Sequence, residues 1–263
     1  MSKKILEIKN LSMQFGGLKA VDDLSFDIRE NEIVGLIGPN GAGKTTVFNC
    51  ITQFYKEDTG EIIFENKAGN VIDLNKVKVT KVINHGLVRT FQNVELVKDL
   101  SIIDNVLIGG HNQYKTGVFG HILKTKKAKS EEKVQYEKAL KILKFLNLDV
   151  IKDFYAFGQP YGILKKIEIA RTLMCNPKLI ILDEPAAGLN DVETKELATL
   201  IHRIKDEYKC SILLVEHDMG FVMDICDRIC AISFGKLLAF DTPKNIQSNK
   251  VVQEAYLGGS DDE

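Results

Sequence analysis

Residues 38–45 read Gly38-Pro39-Asn40-Gly41-Ala42-Gly43-Lys44-Thr45, and no other stretch of this chain narrows its possible folds so sharply. The run fits G-x-x-x-x-G-K-[ST] at every defined position. Such a loop needs a buried strand before it and a helix after it. Consecutive backbone N–H groups can then turn inward at the positive end of the helix dipole. The apolar run over 32–37 predicts the strand, and 44–53 predicts the helix. The cradle suits a nucleotide phosphate: Lys44 is placed to reach β- and γ-phosphates, and the Thr45 hydroxyl to ligate Mg²⁺. With Thr46 beside them, residues 38–46 form the expected binding set for ATP and Mg²⁺.

A second motif, Leu179-Ile-Ile-Leu-Asp183-Glu184-Pro185, is an apolar strand that ends in two acids. In a parallel sheet such a strand delivers its carboxylates to the edge where the phosphate loop also lies. Asp183 is expected to hold Mg²⁺ and Glu184 to polarise the attacking water as general base. Strands are further predicted over 5–8, 24–28, 211–215 and 229–233, with a pair over 61–64 and 71–74 turned at Gly69-Asn70. Helices are predicted from near Asp191, where Asn190 and Glu193 have capping-box spacing, and over 218–225. Alternating strands and helices imply a parallel sheet covered on both faces. The stretch from about 100 to 174 has a helical apolar period, clearest over 131–148. The expected fold is therefore α/β: a P-loop NTPase core with a parallel sheet, an antiparallel β subdomain and an inserted α-helical subdomain. A single domain over 1–263 is expected, with the helical part at roughly 100–175 inserted in a RecA-like core.

The 263 residues carry a net charge of −1, which argues against a partner such as nucleic acid that is held by many phosphate contacts. A Lys-rich run over 124–133 reads as a solvated turn leading into a helix; contact with anionic lipid head groups is the alternative. Five scattered cysteines, none in a C-x-x-C pair, indicate neither zinc nor disulfides and suit a reducing compartment. The N-terminal apolar stretch is too short for a signal-peptide core. No segment approaches the roughly 18 apolar residues of a transmembrane helix. A cytoplasmic location follows, with any membrane link made through partners.

With both motifs in place, the chain resembles the ATP-binding subunits of ABC transporters, and further motifs follow in the family's order. Arg89-Thr90-Phe91-Gln92 resembles the Q-loop, which implies that Gln92 touches Mg²⁺ and reports nucleotide state to a membrane partner. Leu214-Val215-Glu216-His217-Asp218 resembles the switch region, with His217 set to contact the γ-phosphate. Ala187-Gly188-Leu189-Asn190 resembles the D-loop, which packs across a dimer interface. Phe15 matches the adenine-stacking aromatic, and Val21 is expected to flank the ring or ribose.

The likeness narrows to one branch, the ATPase subunits of high-affinity branched-chain amino-acid importers, and runs from Leu6 to Gly258. It is carried by Val88-Arg-Thr-Phe-Gln92, the insert over 111–123, Ile167-Glu-Ile-Ala-Arg171, Asp183-Glu-Pro-Ala-Ala-Gly-Leu-Asn190, Glu216-His-Asp-Met219 and Ala255-Tyr-Leu-Gly258. It implies two transmembrane permease subunits, a second, related ATPase, a periplasmic or extracellular substrate-binding protein, and a place on the cytoplasmic face of the inner membrane.

One departure stands out. The family signature, Leu-Ser-Gly-Gly-Gln, falls here on Gln159-Pro160-Tyr161-Gly162-Ile163. Pro160 has neither a hydroxyl nor a backbone N–H to offer a phosphate. Tyr161 and Gly162 remain as the nucleotide-facing part of the motif, the Gly162 amide at the start of the following helix. The site that this signature completes is expected to turn over more slowly than its mate.

Three rivals remain to be weighed. A soluble ABC-type ATPase acting on DNA or ribosomes usually shows two ATPase domains or a long heptad arm, and this chain shows neither. A module that holds ATP without splitting it is disfavoured by Glu184 and His217, although the altered signature keeps it open. A lipid or polysaccharide exporter also stays open, because partner proteins choose the substrate.

Overall fold

The computed structural model describes residues 3–90 and 95–257. Two long strands open it, β1 (Lys4–Phe15) and β2 (Leu18–Arg29), in antiparallel register. Both run well past the apolar segments predicted from the sequence. Asn10 and Asp23, at φ 50° and 56°, sit at register irregularities of the β1–β2 ladder, where the two-residue alternation breaks. Asn10 Nδ2 donates to Asp23 Oδ1 at 2.7 Å and ties the two irregular points together.

Next, β3 (Ile33–Ile37) is buried along its whole length and runs through the phosphate loop into α1 (Lys44–Ile51). The hairpin of β4 (Thr59–Glu65) and β5 (Val71–Asp73) follows, with Ile63 opposite Asp73 and Glu65 opposite Val71. A single turn, α2 (Val79–Val82), leads to the short β6 (Leu87–Arg89). The middle of the chain is helical: α3 (Ile102–Gly109), α4 (Val118–Ile122), α5 (Lys126–Phe145) and α6 (Tyr161–Met174). Of the Lys-rich run, Lys124 turns the chain at φ 48°. The Thr125 side chain caps α5, and Lys126, Lys127 and Lys129 stand exposed on its first turns.

Strands and helices then alternate. β7 (Leu179–Asp183) precedes α7 (Asp191–Tyr208), whose start carries the capping box of Asn190 and Glu193. β8 (Ser211–Val215) and α8 (Met219–Ile225) follow, then β9 (Arg228–Ser233), β10 (Lys236–Asp241), α9 (Pro243–Gln247) and α10 (Lys250–Leu257).

Four strands form an antiparallel sheet in the order β2-β1-β4-β5, and six form a second sheet in the order β10-β9-β3-β8-β7-β6. In the second sheet only the edge strand β10 is antiparallel to its neighbour. Its three central strands, β3, β8 and β7, are buried at every position, the continuous apolar pattern of a sheet covered on both faces. The chain divides into two compact units, Met1–Arg89 with Lys178–Glu263, and Thr90–Pro177. All five cysteines are buried and unpaired, and burial pushes the thiols of Cys50 and Cys210 up to about 12, which keeps them unreactive. No helix among the described residues is long and apolar enough to cross a membrane.

Within the helical unit, α3 and α6 approach closely at Gly109, where an added Cβ would stand 2.2 Å from the Arg171 carbonyl oxygen. Alanine favours a helix over glycine by about 1 kcal/mol, but here it would force two backbones apart, a cost of about 1–3 kcal/mol. Gly109→Ala is therefore expected to destabilise the unit on balance, read as a lower denaturation midpoint in urea; a higher midpoint would show that the helices part freely.

Candidate active site

The central parallel strands finish level, because Val215 of β8 lies opposite both Leu36 of β3 and Asp183 of β7. Three turns therefore leave the sheet side by side, carrying Lys44, Glu184 and His217. The first is the phosphate loop, and two of its glycines are sterically required. A Cβ on Gly38 would meet the Ile232 carbonyl oxygen at 2.3 Å; one on Gly43, at φ 101°, would meet that of Ala20 at the same distance. The loop is clamped from the β9–β10 turn by Gly235 N–H donating to Ala42 O at 2.9 Å. Lys44 Nζ donates to two carbonyls of its own loop, Gly38 O at 2.7 Å and Pro39 O at 3.1 Å. Burial lowers the Lys44 pKa, and the nearby Glu184 carboxylate works against that shift. The loop opens on a cleft of about 530 Å³ walled by Phe15, Lys19, Ala20, Glu184, His217 and Phe234 as well as its own residues.

The second turn separates two adjacent acids. Asp183 ends β7 in extended, buried backbone. Glu184 then takes φ 46°, a left-handed conformation that costs a non-glycine residue about 1–2 kcal/mol. Its N–H is fixed to Val215 O at 2.9 Å, and its Oε1 lies 2.8 Å from His217 Nε2. An ionised carboxylate can only accept, so Nε2 donates in this pair. The strain is stored where the chemistry of the turn needs one acid beside the other yet aimed elsewhere.

Glu216 holds the third turn. Its carboxylate accepts from Ala186 N at 2.6 Å and from His217 N at 3.2 Å, while burial raises its pKa. It thereby joins the backbone after Glu184 to the backbone of His217. Asp218 accepts from Phe221 N at 3.1 Å and starts α8 directly behind the histidine. Asp183, for its part, pairs with Arg89, whose Nη2 donates to Oδ2 at 2.6 Å.

Residues 21–187 match the ABC transporter family. The chain belongs to that family. It is 43% identical over 258 residues to the high-affinity branched-chain amino acid transport ATP-binding protein LivG of Salmonella typhimurium, covering 98% of this chain and 99% of that one. The corresponding BraF of Pseudomonas aeruginosa is 41% identical over the same length. Among solved structures, the ADP conformation of the ATP-binding cassette MJ1267 superposes with a TM-score of 0.83 at 32% identity, covering 98% of this chain and 100% of that one. The chain is thus a nucleotide-binding cassette and an ATPase.

The expected residues of the cassette are placed as follows. Asn40, Gly41, Ala42, Gly43, Lys44, Thr45 and Thr46 line the cleft with Glu184 and His217, while Pro39 of the same loop lines a neighbouring cleft with Glu254 and Ala255 of α10. Phe15 stands at the rim, 43% exposed, packed edge-to-face on Tyr55 with ring centroids 5.3 Å apart. Val21 is fully buried in the core and lines no part of the cleft, where Ala20 and Lys19 form the wall beside it. Gln92 and Phe91 lie outside the described residues. Tyr161 and Gly162 open α6 in the helical unit, after Pro160 at the N-cap position with no side-chain hydrogen bond to the helix.

Sequence reasoning missed Lys19, Ala20, Phe234, Arg89 and the clamp made by Glu216. Phe234 had a readable signal, a bulky aromatic directly before Gly235 in a tight turn.

If Glu184 is the base, Glu184→Gln should lower kcat by about 10²–10⁴. Nucleotide affinity should hardly change, because the loop amides and Lys44 are untouched. Phosphate release and titration with a fluorescent nucleotide test the two halves; hydrolysis at the wild-type rate would remove Glu184 from the reaction.

Proposed function

We propose that this cassette is the ATP-hydrolysing subunit of an importer of branched-chain amino acids. The observation that carries the reading is identity of 41–43% across the whole chain to proteins that bear that description, with both Glu184 and His217 in place. Its partners would be two transmembrane permease subunits, a second ABC ATPase and, indirectly, a substrate-binding protein outside the cell. It would sit peripherally on the cytoplasmic face of the plasma membrane.

In the proposed cycle two cassettes close head to tail on ATP, the phosphate loop of one facing the signature of the other. The α/β unit serves as the nucleotide core, and the unit Thr90–Pro177 as the inserted helical subdomain that passes closure to the permease. The loop amides from Gly38 to Thr46 bind the phosphates, and Phe15 stacks on adenine. Lys44 must exchange its two loop carbonyls for phosphate oxygens. Thr45, Asp183 and Gln92 are the proposed Mg²⁺ ligands. Hard oxygen donors of this kind, one or two from protein with phosphate and water completing the shell, suit that ion. Bound there, Mg²⁺ would offset the negative charge of the phosphate oxygens. Glu184 accepts the proton of the attacking water, and His217 holds Glu184 through Nε2 and turns toward the γ-phosphate.

The decisive experiment is co-purification of tagged protein from native membranes in mild detergent, with partners identified by mass spectrometry. Two polytopic membrane proteins and a second ATPase are expected, together with leucine uptake that is lost on deletion and restored by the wild-type gene. Recovery with ribosomes or DNA and no membrane protein would refute transport; intact leucine uptake in the deletion strain would refute the substrate.

Residue 160 yields a second prediction. Serine at an N-cap caps its helix, worth about 1 kcal/mol. A hydroxyl donor to the transferring phosphate is worth up to about 10²-fold in rate, by analogy with other such donors. Pro160→Ser should therefore raise both the melting temperature and the ATPase rate; a higher melting temperature with an unchanged rate would leave the residue a capping role alone.

A further inference from the structure

One carboxylate oxygen of Asp183, the proposed Mg²⁺ ligand, is already in use. Arg89 Nη2 donates to Oδ2 at 2.6 Å, and the two side chains are only 12% and 11% exposed. Nη1 of the same guanidinium donates to Asn49 Oδ1 at 2.7 Å, and its carbon lies 5.6 Å from the centre of the Phe48 ring. Asn49 is one turn beyond Thr45 on α1 and so shares its face of the helix. Arg89 therefore bridges the acid proposed to hold the metal and the helix that carries the proposed hydroxyl ligand.

Two details make this bridge exchangeable. It reaches Asp183 through a single N–H rather than the two-pronged fork that gives arginine–carboxylate pairs their strength. Its Nε is buried with no hydrogen-bond partner among the described residues, a desolvation cost that the pair does not recover. A divalent ion at the carboxylate brings twice the charge to the same oxygens, and the guanidinium would then be a like-charged neighbour.

The place of Arg89 in the chain gives the exchange a consequence. It is the last residue of β6 and of the α/β unit, and the chain passes into the helical unit at Thr90. β6 is a three-residue edge strand, paired to β7 through Leu87–Leu179, Val88–Ile180 and Arg89–Ile181. A force on the Arg89 side chain is thus applied at the residue through which the chain leaves the nucleotide core.

We infer that Arg89 is a metal-displaced counter-ion: it neutralises Asp183 and gives up that oxygen when Mg²⁺ enters with ATP. The inference rests on the proposed role of Asp183 as a metal ligand. Arg89 acts through Asp183 and is a positioning residue, not a catalytic one.

The test titrates Mn²⁺, followed by electron paramagnetic resonance, into full-length protein holding a non-hydrolysable ATP analogue. Arg89→Gln removes the competitor and should tighten Mn²⁺ binding by about tenfold, while affinity for the analogue in chelator stays at the wild-type value. Arg89→Lys keeps the charge but cannot span both partners; it should tighten binding by less and serves if the glutamine variant does not fold. Unchanged or weaker Mn²⁺ binding in either folded variant overturns the inference, as does an equal change in metal-free nucleotide affinity. Asp183→Asn separates the two layers. If it binds Mn²⁺ like wild type, the metal role of Asp183 fails and the inference falls with it. If it loses Mn²⁺ while the Arg89 variants bind as wild type, only the counter-ion role fails.

Discussion

Everything at the cleft depends on the parallel register of β3, β8 and β7. Because Val215 faces both Leu36 and Asp183, the three strands end at one level and their turns emerge together. A slip of one residue in any of them would move its catalytic turn by a residue rise of about 3.3 Å and invert its side chains. Register of this kind is costly to hold by hydrogen bonds alone, since a slipped ladder makes nearly as many. Here it is held by burial on both faces, where every side chain of the three strands has a place in the core.

That dependence also explains what the sequence revealed and what it concealed. The phosphate loop and the two acids were legible because their chemistry requires residue types at fixed spacing and because buried strands announce themselves as unbroken apolar runs. The helical insert and the capping box at Asn190 were legible from period and spacing alone. The long strands β1 and β2 were only half visible, since the irregularities at Asn10 and Asp23 shift the alternation midway. The residues that wall the cleft beside Val21, Lys19 and Ala20, carry no motif of their own. β10 is half exposed along its length and lacks the apolar run that marks its neighbours. The pairing of Arg89 with Asp183 spans 94 positions in the chain, and no local pattern encodes it.

The strained turn at Glu184 shows how the fold converts that register into function. Two acids in sequence would otherwise alternate to opposite faces of an extended strand. A left-handed residue between strand and turn lets Asp183 remain in the ladder while Glu184 swings to His217. Glu216 then locks the arrangement from the neighbouring strand end by binding the amides of both Ala186 and His217. Three acids thus divide the work: one pairs with the arginine that reaches the phosphate-loop helix, one faces the histidine, and one is spent on backbone. Their separate environments, rather than their identity, assign the roles.

Each charge that the proposed reaction would use has an internal partner. Lys44 is held by the carbonyls of Gly38 and Pro39, Asp183 by Arg89, and Glu184 by His217. Buried charges left unpaired would cost several kcal/mol each. Here the partners sit on different strands and turns. In the proposed cycle, binding of nucleotide would then be an exchange rather than an addition, with the free energy of the new contacts partly spent in releasing the old ones. Of the three exchanges, only that of Arg89 occurs at the last residue before the chain enters the helical unit. In the proposed cycle the charge balance at Asp183 and the coupling to the helical unit would thereby meet in a single side chain.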